Sequence, residues 1–162
     1  MRLVIASAFV VTHLTAPGAA IQSPGSTAAG KPGIRACTLL TRDLATKYTT
    51  LENKRTIDLI PPAEEPIGAH GSMCEFAGIG FQINPFARAE LMRKTPGKDW
   101  QPLAGLGDAA FFRNNANRWA EVIVWTGVHH FTIQMSVPTG ATAESVKPSA
   151  TGLATELIAK LR

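Results

Sequence analysis

The sequence predicts an α+β fold, a mostly antiparallel sheet with helices packed on it. Three observations carry that prediction. Trp119 to Val137 reads as two β-rich runs broken at Thr126-Gly127, and the second run alternates apolar and polar residues with period two. Met73 to Asn84 is a further apolar stretch, with Cys74, Phe76, Ile79, Phe81 and Ile83, interrupted by Gly78 and Gly80. The chain then closes on an apolar stripe at helical spacing, Val146, Ala150, Leu153, Leu157, Ile158 and Leu161. Strands between helices at both ends of a domain make an α+β sandwich.

The elements follow in order. Cys37 to Thr49 reads as a helix, with Thr41 suited to an N-cap, Asp43 to a first turn, and Leu40, Leu44 and Tyr48 four apart. Arg55 to Ile60 reads as an edge strand stopped by Pro61-Pro62, and Ala63 to Ser72 as a loop. The two glycines in Met73–Asn84 suggest a bulge or a turn. Phe86 to Lys94 is helix-like, Thr95 to Asp108 a long loop, Ala109 to Arg113 a short strand, and Asn114 to Asn117 a turn. The last helix spans about Ala143 to Leu161, with Pro148 near its first turns.

The hairpin register can be worked out on paper. With Thr126-Gly127 as the loop, Trp125 pairs with Val128, Val124 with His129, Val122 with Phe131 and Ala120 with Ile133. Cross-strand partners share a side and successive residues alternate sides. One face then carries Ala120, Val122, Val124, His129, Phe131, Ile133, Met135 and Val137, which is a core. The other carries Trp119, Glu121, Ile123, Trp125, His130, Thr132, Gln134 and Ser136.

The 162 residues suffice for one domain with a core. Charged residues are 17% of the chain, and the net charge of +4 is spread without a basic run. Nucleic acid is therefore not an expected partner. Residues 1–20 read as a signal peptide, with Arg2 as n-region, Leu3 to Val11 as apolar h-region, and Gly18 and Ala20 at the positions a signal peptidase reads. The apolar run is too short to span a bilayer, so no stable membrane insertion is expected after cleavage. Residues 21–35 read as a disordered linker and 36–162 as a single domain. Two cysteines, Cys37 and Cys74, in an exported chain point to a disulfide. A polar linker and Arg35 precede Cys37, which speaks against a lipid anchor there.

Ala36-Cys37-Thr38-Leu39-Leu40-Thr41 opens the domain, Cys74-Glu75-Phe76 begins a strand, and Gly105-Leu106-Gly107-Asp108-Ala109-Ala110 precedes the hairpin. With the Ala/Leu-rich last helix, this layout resembles a broad group of small exported bacterial domains of unknown function, several of them lipoproteins. Their fold is similar to the α/β/α sandwich of the PsbP and Mog-type proteins. The resemblance covers roughly Ala36 to Arg162 and implies a fold and an envelope location. It implies no catalytic residues.

Chemistry-bearing motifs are sparse. Gly105-x-Gly107-Asp108 lacks the strand before and helix after that a phosphate-binding turn needs, and reads as a tight turn with Asp108 bonded to backbone just downstream. His129 and His130 are adjacent, so a regular strand points them to opposite faces and one ion cannot take both. No catalytic residue, metal ligand or cofactor is assigned. The mixed hairpin face, Trp119, Glu121, Ile123, Trp125, His130 and Gln134, is the candidate binding face, since Trp among polar groups suits protein recognition or sugar stacking. A helix covering that face, with both Trp in the core, stays open as the other reading. Trp100 in the long loop is a second anchor or a plug over the core edge. The expected function is a periplasmic or secreted, non-catalytic module that binds a cell-envelope protein. The alternatives are a small metal-dependent hydrolase using His70, Asp108 and His129 or His130, or a peptidoglycan-binding domain.

Overall fold

The computed structural model describes residues 33–68, 70–85 and 97–162, apart from the side chains of Leu51 and Pro85. The expected signal peptide, most of the linker and the helix expected over 86–94 lie outside the described residues. Seven described strands form one antiparallel sheet: β1 Ala63–Ile67, β2 Gly71–Phe76, β3 Ile79–Pro85, β4 Gln101–Pro102, β5 Ala109–Asn115, β6 Trp119–Thr126 and β7 His129–Ser136. Their order is β1-β2-β3-β7-β6-β5-β4. Two meanders thus meet along β3 and β7. The described helices are α1 Ala36–Leu39, α2 Arg42–Tyr48, α3 Leu51–Lys54 and α4 Ala143–Leu161. The α+β class is as expected.

Each helix longer than one turn starts where its sequence supplies a cap. Thr41 Oγ1 accepts from the Leu44 N–H and Thr142 Oγ1 from the Ser145 N–H, with Asp43 and Glu144 in the first turns. The expected helix over 37–49 is broken at Leu40 and Thr41, where Thr41 leaves helical geometry to cap α2.

The β6–β7 hairpin corrects the expected register. Its loop is Gly127-Val128, and the pairs are Val124 with Phe131, Val122 with Ile133 and Ala120 with Met135. Gly127 has φ +58° and Val128 does not adopt a positive φ. That is the II′ arrangement, which puts glycine first in the two-residue loop. Every pair moves by two residues, an even number, so both faces keep the membership read from the sequence.

Strand β1 is a second correction. The edge strand is Ala63–Ile67, and Arg55–Ile60 forms turns. Ile57 alone of that stretch enters the core, while Leu59 and Ile60 are exposed. Arg42 fixes the turns by donating to the Ile57 carbonyl at 2.7 Å and the Asp58 carboxylate at 2.9 Å. Two glutamates and Pro66 make β1 poorly suited to further pairing, as edge strands require. The stretch 73–84 is a hairpin of two strands, turning at Ala77-Gly78 with both φ positive.

The core lies between one face of the sheet and helices α1, α2 and α4. Phe81, Val122, Val124, Phe131, Ile133 and Met135 meet Leu153 and Leu157 there, all at 1% exposure or less. Each such side chain contributes about 1.5–3 kcal/mol by burial. The Lys147 ammonium of α4 lies 4.5 Å over the Phe112 ring, fixing the helix above β5.

The Cys37–Cys74 disulfide staples α1 to β2. Its sequence separation of 37 residues corresponds to about 3–4 kcal/mol in the chain-entropy account. Replacing both cysteines by alanine should lower unfolding free energy by about that amount in urea titration. The wild type in strong reductant should match the variant.

Candidate functional site

The face of the sheet turned away from α4 holds the residues singled out by sequence, and the structure divides them into three groups. In the middle stands Glu121, 2% exposed. Arg113 donates to it through both Nε, at 2.6 Å, and Nη2. Asn115 donates at 3.1 Å and Gln134 at 2.8 Å. Arg113 and Gln134 are its cross-strand neighbours on β5 and β7. The Arg113 guanidinium also sits 4.5 Å from the centre of the Trp100 ring. Trp100 is therefore half-buried cover for an ion pair. Glu121 is buried and engaged within the protein.

Towards the β6–β7 turn, Trp125 is 4% exposed and stands apart from the main core. It stacks on His130, with ring centres 5.0 Å apart, and meets Phe111 edge-on at 5.8 Å. Among the described residues its indole N–H finds no hydrogen-bond partner, nor does Nδ1 of half-buried His129. Burial holds the His129 pKa below its ordinary 6.5. Trp125 thus packs inside the protein, while half-buried Ile123 lies between the groups.

The Gly105–Asp108 motif belongs to this end. A Cβ at Gly107 would stand 2.5 Å from the Trp125 carbonyl oxygen, so glycine lets the loop backbone reach β6. The Asp108 N–H donates to that carbonyl at 2.7 Å, and its carboxylate accepts from the Gly127 N–H at 2.8 Å. Asp108 therefore holds the distant hairpin turn.

The third group surrounds Trp119, at the opposite end of β6. A row of residues crosses the sheet here: Ala63, Glu75, Gly80, Gln134, Glu121 and Arg113. Gly80 leaves a gap in that row. The gap is the floor of a cavity of about 300 Å³, bounded by Glu75, Trp119 and Gln134, with Asn53, Ile60 and Pro61 on the side of the turns that follow α3. Asn53 is held there by donating to Ser136 Oγ at 3.0 Å. Sequence reading found Trp119 and Gln134 but missed Gly80, Glu75 and Ile60. Glycine inside a strand was the available signal, because it marks places where another group approaches the backbone closely.

At the far edge, Glu64 ties the domain's first residues to β1 and β2. Its carboxylate accepts from Arg35 at 2.9 and 2.5 Å, from the Ser72 hydroxyl at 2.9 Å and from the Cys37 N–H at 3.3 Å. Burial pushes the Glu64 pKa up, but these hydrogen bonds outweigh it and hold the group below its ordinary 4.5. His70 is exposed in the β1–β2 loop. Among the described residues no three His, Cys, Asp or Glu side chains gather to hold a metal ion. No described helix is long and apolar enough to cross a membrane. Comparison with family models, curated proteins and solved structures finds no match to this chain.

Two outcomes follow from this geometry. Arg113→Ala strands a buried carboxylate and should destabilise the domain by about 3 kcal/mol or more, whereas Arg113→Ala with Glu121→Gln should recover part of the loss in chemical denaturation. For pH, a His129 pKa below 6.5 means the unfolded chain takes up the proton first. Stability should fall as pH drops from 6.5 towards the folded value, and His129→Gln should remove that component. The Glu64 contribution is present above 4.5 and lost as pH falls from there through its lower folded value. Glu64→Gln should flatten that second decline in thermal melts.

Proposed function

We propose that the domain is an exported, non-catalytic binding module of the bacterial cell envelope, and that it grips a protein partner in the cavity beside Trp119. The observation that carries this reading is the gap at Gly80, walled by a half-buried tryptophan and open at its rim. Its volume of about 300 Å³ is at the small end of binding cavities and suits one anchoring side chain better than a large ligand. Ile60, which lines it, is 49% exposed, and its chain neighbour Leu59 is 80% exposed. Exposed apolar groups around an aromatic-walled pocket are the anatomy of a docking site. The disulfide suits an oxidising compartment, and the resemblance of the domain's opening and Gly-Leu-Gly-Asp motif to exported envelope domains agrees with it.

Gly80 offers a clean test. Its backbone is not in the left-handed region, and an added Cβ meets Gln134 at ordinary contact distance, 3.6 Å. Valine should therefore be accommodated in the strand while filling the cavity floor. Cross-linked affinity capture from the native envelope should retain one enriched protein with the wild type. Gly80→Val and Trp119→Ala should lose it while keeping a cooperative melt. Capture undiminished by Gly80→Val, or sedimentation with insoluble peptidoglycan in place of protein capture, would refute the reading.

A further inference from the structure

The polar groups around the cavity are not a random assortment, and their orientation selects a ligand. Glu121 is a carboxylate bound by the Arg113 guanidinium, so it can only accept hydrogen bonds from its neighbours. Gln134 must therefore present its amide NH2 to Glu121, and does so at 2.8 Å. That fixes the amide the other way round at its free end. Gln134 Oε1 faces the floor, 3.6 Å from where a Cβ on Gly80 would stand.

Across the gap stands Glu75, exposed, with Ala63 and Gly80 as its cross-strand neighbours. Neither offers it a charge or a donor. Met73 and Glu65, a cross-strand pair, are the next residues on the same face, and Glu65 is a second carboxylate. No ion pair or hydrogen bond joins Glu75 to another described residue. The contrast with Glu64, Glu121 and Glu156, each ion-paired, is plain. The cavity thus carries a carboxylate and an amide oxygen, both acceptors, beside the Trp119 indole. Its wall is completed by apolar Ile60 and Pro61 and by polar Asn53 and Thr56, which donate within the protein to Ser136 Oγ and to the Asn53 carbonyl.

We infer that the Trp119 cavity takes a basic side chain, arginine or lysine, of the partner protein. The inference rests on the binding reading above and deepens it. The aliphatic stem lies along Ile60 and Pro61. The cationic head meets the Glu75 carboxylate and Gln134 Oε1 and sits against the Trp119 ring. A cation beside the indole and the carboxylate satisfies both of these acceptors. A neutral aliphatic side chain would leave Glu75 and Gln134 unmatched.

The test is a titration of 15N-labelled protein, following the Trp119 indole signal assigned through Trp119→Phe. The probes are N-acetyl-arginine amide, N-acetyl-lysine amide and, as neutral control, N-acetyl-leucine amide. The basic amides should shift the signal saturably. Glu75→Gln, at an exposed position, should weaken them about tenfold, the scale of losing one charge-assisted contact. Gly80→Val should abolish the shift. Leucine amide binding as well as the basic amides, unaffected by Glu75→Gln, would overturn the basic specificity and leave the docking cavity standing. No shift with any amide would overturn the inference too, and the Gly80→Val capture experiment decides the docking reading separately.

Discussion

A carboxylate in the middle of a sheet, 2% exposed, constrains everything around it. Glu121 requires donors, since a buried charge left unmatched costs several kcal/mol. Arg113 and Asn115 on β5 and Gln134 on β7 supply them from the two neighbouring strands. Each answer has a consequence. Arg113 must stay on this face, and Trp100 lies against it. Gln134 must turn its NH2 inwards, which aims its oxygen at the glycine gap. A structural ion pair thus sets the chemistry of the neighbouring cavity without taking part in it.

The opposite face does the folding. Strands β3, β5, β6 and β7 alternate so that one side is apolar along its middle, and α4 covers it with Leu153, Ala154 and Leu157. Because one side bears the core, the other is free to be irregular. It holds an aromatic cluster at Trp125, the ion pair at Glu121 and the cavity at Trp119. The turns after α3 complete that cavity from the end of the β2–β3 hairpin, held by Arg42 on one side and Asn53 on the other.

Much of the fold is legible in the sequence because it rests on period and caps. The faces of β6 and β7 follow from alternation alone, and they survive an error of two residues in the register. Helix α4 is announced by its stripe. What the sequence hides is local backbone geometry. Ala77 takes a positive φ that alanine seldom adopts, so the β2–β3 turn does not advertise itself. Arg55–Ile60 has the composition of a strand, yet Pro61-Pro62 and the Arg42 contacts hold it in turns. The site is legible only in part. Trp119 and Gln134 stand out as residue types, but Trp125 and Glu121, equally prominent, are consumed by packing and by an ion pair. The cavity itself is an absence, made by Gly80 lying between Glu75 and Gln134. Gly80 inside a strand is the one local signal, and the row around it is assembled by six strands that no local pattern aligns.

The most direct test of the Trp119 cavity as the docking point is site-specific photo-crosslinking. A photoreactive residue is placed at Ile60, on the cavity rim, and separately at Val128, exposed on the turn at the far end of β6. Irradiation in the native envelope should give a partner adduct from position 60 and none from position 128. Adducts from 128 alone would place recognition at the other end of the sheet and contradict the account.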